Sequence, residues 1–137
     1  MTRAIQQSMA MGLFFLATAT PSSGLDRHEQ RSVYASVGRE ARIASYGAPD
    51  AACKGGPRPQ IEIAERPSYG TLVEKPVRII AERSSVPRRD HPCVGKFIDA
   101  IAIYYRPTPG FRGSDRLRLR VRFDDTMLEE EILVSVR

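Results

Sequence analysis

The sequence predicts an all-β protein, an antiparallel sandwich of about seven or eight short strands. Three observations predict it. Apolar residues recur at every second position in several stretches, most clearly at Leu117, Leu119, Val121 and Phe123. Ten prolines and ten glycines divide the 137 residues into short segments. Beyond the first twenty residues no stretch carries the period of an amphipathic helix.

The chain opens on a targeting pattern. Arg3 is the lone early charge, and an apolar run extends over residues 9–17. Ala17-Thr18-Ala19 then places small residues where a signal peptidase reads them, so residues 1–19 are expected to be a signal peptide cleaved after Ala19. The run is too short to span a bilayer, which takes about 20 apolar residues. Residues 20–31 are polar and read as a flexible leader, and residues 32–137 as one domain.

Strands follow in order. Residues 33–37 alternate Val33, Ala35 and Val37 with polar neighbours. After Gly38, residues 41–46 offer a second strand. Residues 47–59 form a Gly- and Pro-rich loop carrying Cys53. Residues 60–65 are a third strand, and Pro67-Ser68-Tyr69-Gly70 is a turn, with Pro fixing one backbone angle and Gly supplying a positive one. Residues 71–73 and 77–81 read as two strands divided by Pro76. Residues 84–92 are a second polar loop, ending beside Cys93. Residues 98–105 are apolar enough for a central strand.

The last two strands specify a hairpin. A period of two puts Leu117, Leu119, Val121 and Phe123 on one face and Arg116, Arg118, Arg120 and Arg122 on the other. With Asp125 and Thr126 at the tip, Phe123 faces Leu128, Leu119 faces Ile132 and Leu117 faces Val134. The same register sets Arg122 against Glu129 and Arg120 against Glu131. Glu130 then falls on the apolar face opposite Val121 and is expected at the rim.

Cys53 and Cys93 are the only cysteines. In an exported protein such a pair is expected to form a disulfide, stabilising the fold by about 4 kcal/mol in the chain-entropy account. A metal site is not expected, because only His28 and His91 could join the cysteines and neither stands at ligand spacing. Calcium at Asp115 with Asp124 or Asp125 lacks the dense acidic loop that six to eight oxygen ligands require.

The chain is basic, with a net charge of +5, and removing Arg3 with the signal lowers it by one. That permits attraction to anionic surfaces without demanding it. Arg116, Arg118, Arg120 and Arg122 could present a ladder to a polyanion, with a salt-dependent affinity. An ordinary solvent face partly neutralised by Glu129 and Glu131 is the preferred account. Arginines outnumber lysines 18 to 3, so the stripe shares a general bias of the chain.

Enzymatic residues are sparse. His28 lies in the expected leader, and His91 lies beside a cysteine expected to be oxidised, so neither supports a nucleophilic triad. A paired-carboxylate hydrolase has little support, because the obvious acids cluster in the final hairpin. Gly55-Gly56 precedes no helix and cradles no phosphate by the P-loop geometry. No cofactor is expected.

Pro67-Ser68-Tyr69-Gly70-Thr71-Leu72, then Tyr105-Arg106-Pro107, Gly110-Phe111-Arg112-Gly113-Ser114-Asp115 and the alternating strand form a recurring combination. It resembles the immunoglobulin-like and cadherin-like repeats of bacterial surface proteins over residues 33–136. The resemblance implies an Ig-like sandwich that binds or spaces rather than catalyses. Such repeats usually stand in tandem in very large chains, whereas one copy stands here with an added cysteine pair. The residues themselves assign the corner a structural task. Pro107, Gly110 and Gly113 shape the bend, Phe111 plugs the core's end, and Asp115 accepts turn amides. The expectation is a periplasmic or secreted module with a protein or glycan partner, contacted through loops 47–59 and 84–92.

Overall fold

A computed structural model describes residues 27–137. The expected signal peptide, and the leader up to residue 26, lie outside the described residues. Seven strands are present: β1 (Arg27–Ala35), β2 (Ala41–Tyr46), β3 (Gln60–Glu65), β4 (Gly70–Ile80), β5 (Phe97–Pro107), β6 (Gly113–Arg122) and β7 (Met127–Val136). They form two sheets, of order β1-β7-β6-β3 and β2-β5-β4, and no described residue is helical. The molecule is a β-sandwich, as the period-two patterning and turn density require.

Three strand assignments are corrected. β1 begins at Arg27, so residues 27–31 of the expected leader are sheet. It pairs with β7 in parallel, the one parallel pairing among the described strands. Its sequence hides this, because Arg27, Glu29 and Arg31 occupy the inward positions of a charged strand. Pro76 does not divide β4 either. β4 is an edge strand, so the missing amide of Pro76 costs no ladder bond on its free side.

The β6–β7 hairpin forms with the expected faces but is shifted by two residues. Val121 faces Leu128, Leu117 faces Ile132, Arg120 faces Glu129 and Arg118 faces Glu131. The Phe123 amide bonds the Thr126 carbonyl at 2.9 Å, which leaves Asp124 and Asp125 at the tip. A shift of two keeps every side chain on its face. Glu130 consequently faces Leu119 and is fully buried, not placed at a rim.

Two apolar clusters fill the interior. The main one joins the alternating residues of β6 and β7 to Ile43, Tyr46, Ile103 and Tyr105. Each fully buried Leu or Ile there stabilises the fold by about 1.5–3 kcal/mol. Ile98 and Ala100 lie at the opposite parity of β5 from Ile103 and Tyr105. They build a second cluster with Ile79, Ala81, Val86 and Cys93. Loops 47–59 and 82–96 therefore fold onto the other face of the β4–β5 ribbon, where the Cys53–Cys93 disulfide joins them across a Cα separation of 5.5 Å.

Candidate functional site

The Gly/Pro corner is a structural clamp. Gly110 and Gly113 hold φ values of +79° and +132°, which favour glycine. Phe111 stacks on Tyr69, with ring centroids 4.4 Å apart and planes 10° from parallel. The buried Asp115 carboxylate accepts the amides of Ser68 and Arg116 through Oδ1 and that of Tyr69 through Oδ2, each at 2.9 Å. The Tyr105 hydroxyl donates to Oδ2 at 2.8 Å. Four donors meet four lone-pair positions, so Asp115 has none left for a cation. A Cβ at Gly70 would collide with the Tyr105 ring, so only glycine fits that turn. Pro107 is buried opposite Gly70. The two separated motif segments thus meet in one contact.

The arginine face is largely neutralised. Arg118 pairs with Glu65 and Glu129, Arg120 with Glu62 and Glu129, and Arg116 with Glu131, at 3.3–3.7 Å. Glu62 and Glu65 come from β3, a neighbour the sequence could not supply. Arg122 is the member of the stripe with no ion pair among the described residues. Exposed pairs of this kind are worth about 0–1 kcal/mol each. They offset part of the positive charge on this face.

The disulfide-tied loops adjoin a charged network that sequence reasoning missed. Glu130 receives the Arg31 guanidinium at 2.5 Å and the Tyr46 hydroxyl at 2.7 Å. Arg31 also donates to the Ser84 hydroxyl at 2.8 Å. Arg27 donates to the Val86 carbonyl at 3.0 Å, and Arg89 donates to Glu29 in a bidentate pair, Nε to Oε1 at 3.0 Å and Nη2 to Oε2 at 2.7 Å. β1 is thereby fastened to the loop that ends at Cys93. Burial, then the adjacent Glu130 charge and its hydrogen bond, push the Tyr46 hydroxyl well above its ordinary pKa. Burial and the bond to Asp115 do the same for Tyr105. Desolvation lowers Arg27 below the usual arginine range. The signal for this network was present in the sequence as Glu130, an acid at an apolar position of β7, but its partners lie 84 and 99 residues away.

Beside the network opens a depression of about 520 Å³, lined by β1, β2, the end of β4 and the start of β5. Ile80 and Phe97, cross-strand partners, stand 53% and 58% exposed there. Of the two histidines, His28 is exposed on β1, and His91 accepts the Cys93 amide through Nδ1 at 3.1 Å. No group of three metal-ligating side chains gathers among the described residues. The disulfide fits an oxidising environment. Compared with known families and curated proteins, the chain matches no family model and no curated sequence.

Proposed function

We propose that this chain is an exported, non-enzymatic Ig-like module that binds a protein or glycan at the bacterial envelope or outside the cell. The observation that carries this reading is the disulfide-braced end. There, two loops are fixed to a sheet face beside an open depression with two exposed apolar side chains. Preordered loops on a rigid sandwich favour binding, because little ordering entropy remains to be lost. The strand order adds support. Sheets β2-β5-β4 and β7-β6-β3 match the immunoglobulin arrangement, with the first strand placed on the other sheet. The Asp115–Tyr105 clamp gives the resemblance to surface repeats a physical basis. The oxidised cysteine pair leaves no free thiol as a nucleophile, which favours binding over catalysis. The signal-like start favours a periplasmic or secreted location.

The test is co-sedimentation of the purified, disulfide-intact protein with cell-envelope fractions across a salt series. Retention that survives high salt supports a shape-specific partner. Retention lost steeply with salt would transfer the role to the arginine face, and no retention at all would reject an envelope partner.

A further inference from the structure

β4 and β5 outrun the strand beside them. β2 ends at Tyr46, opposite Ile101. The rungs beyond, down to Arg78–Asp99, Ile79–Ile98 and Ile80–Phe97, form a two-stranded ribbon with no third strand among the described residues. Its two faces differ. Ile79 and Ile98 are buried in the disulfide cluster on one face. Arg78, Asp99, Ile80 and Phe97 take the other face by parity. All four are more than half exposed, Ile80 at 53%, Phe97 at 58%, and the Arg78 and Asp99 side chains at 68% and 75%. The ribbon is braced from behind and cannot readily turn this face inward.

Two other exposed rings are already covered on one side. Tyr69 stacks on Phe111, and the Arg137 guanidinium lies 4.0 Å from the Tyr34 ring centroid. Ile80 and Phe97 instead stand side by side on adjacent strands, a contiguous apolar pair open to water. The charges next to them are opposite in sign on the two strands, Arg78 on β4 and Asp99 on β5. Their own contact, at 3.7 Å, is solvated and leaves each free to gain a second partner.

This pattern is self-complementary. A twofold axis lying along the ribbon, between β4 and β5, sets each β4 residue of one copy over the β5 residue on the same rung of the other. Ile80 then covers the second copy's Phe97, and Phe97 its Ile80. Arg78 meets the second copy's Asp99, and Asp99 its Arg78, so four charges alternate in sign around a square. A ligand of a single charge sign would meet a like charge here, whereas a second copy meets none.

We propose that this face is the docking surface for a second copy of the chain, giving a twofold dimer joined through the ends of the β4–β5 ribbons. Few side chains take part, and interfaces below about 1,200 Å² are weak and transient. The dimer therefore forms only as concentration rises. This inference goes beyond the binding-module reading and does not depend on it.

Sedimentation velocity of the disulfide-intact protein over a concentration series tests it. The unaltered protein should pass from monomer to dimer and stop there. Arg78→Asp and Asp99→Arg should each weaken dimerisation at least tenfold, because each sets like charges against one another twice. Mixing the two variants in equal amounts should restore a dimer, and so should both substitutions together in one chain. Phe97→Ser should weaken dimerisation tenfold or more as well. Thermal unfolding of dilute samples reports whether each variant is folded, and rescue by mixing reads the interface whatever stability a single variant loses. A monomer at every concentration, association that continues past the dimer, or a mixture no more associated than either variant alone would overturn the proposal. Envelope retention of a monomeric protein that is lost with Phe97→Ser would hand this face to a foreign partner and overturn it too.

Discussion

Two buried carboxylates, Asp115 and Glu130, each hold a buried tyrosine hydroxyl, and they solve the same electrostatic problem with different materials. Asp115 is satisfied by three backbone amides and Tyr105. Glu130 is satisfied by Arg31 and Tyr46, two side chains from other strands. Any residue but proline supplies a backbone donor, and two of the three amides sit in the turn at residues 67–70, 46 and 47 positions from Asp115. A carboxylate that depends on such a turn leaves motif residues in both segments. Side-chain donors can come from any strand, so Glu130 leaves none. The first site is also fixed in composition, whereas the second could be exchanged as a unit for apolar residues.

Substitutions separate the two designs. Asp115→Ala strands three amides and a phenol, and should cost about 4 kcal/mol in urea unfolding. No second substitution should restore the loss. Glu130→Ala leaves Arg31 and Tyr46 facing an apolar interior and should cost about 3 kcal/mol. Here the triple variant Glu130→Leu, Arg31→Leu, Tyr46→Phe should return to within about 1 kcal/mol of the parent. If it unfolds as readily as the single variant, the equivalence drawn between the sites is broken.

Both tyrosines hold their protons more firmly in the folded state than in the unfolded chain. Above about pH 10 an unfolded tyrosine releases its proton while the folded one retains it. Stability should therefore be level below that pH and fall as pH rises beyond it. Tyr46→Phe with Tyr105→Phe should flatten that fall, as followed by unfolding midpoints from pH 8 to 11.5. Glu40 shows the opposite sign at an exposed position. Hydrogen bonds from Lys75 and Arg106 lower its pKa, so its small contribution is present above the ordinary carboxylate range and lost as pH falls through it. The smallest effect belongs to the arginine face. Arg118→Ala should change stability by less than about 1 kcal/mol, because Arg118 is itself 40% exposed and its pairs are long, at 3.3 and 3.7 Å.

What the sequence disclosed follows the same division. The all-β class, the two faces of β6 and β7 and the Asp115 corner were legible, because each rests on alternation or on turn residues, and the cysteine pair was legible because the chain has no third cysteine. The hairpin register was missed by two residues. Faces constrain only its parity, and the rung was set by the Phe123–Thr126 closure and by partners for Glu130. β1 was half missed, because its inward positions are charged rather than apolar: Glu29 pairs with Arg89 and Arg27 bonds the Val86 carbonyl on a distant loop, while Arg31 pairs with Glu130 of β7. Of the candidate contact surface, the loops were named but their placement was not. The parity of Ile98 and Ala100 decides that they lie on a sheet face, and this requires knowing which face the main core occupies.

The parallel pairing of β1 with β7 also has a mechanical meaning. Arg27 lies beside Leu128 and Ala35 beside Val136, so the first strand enters at one end and the last leaves at the other. Tension applied between Arg27 and Val136 runs along the paired strands in opposite directions. It loads all their rungs at once in shear, where an antiparallel terminal pair would peel open rung by rung. Single-molecule pulling from those two points should give a higher rupture force than pulling across the β6–β7 hairpin. Joined this way, the two ends of the described sandwich meet an applied pull with every rung of the β1–β7 ladder at once.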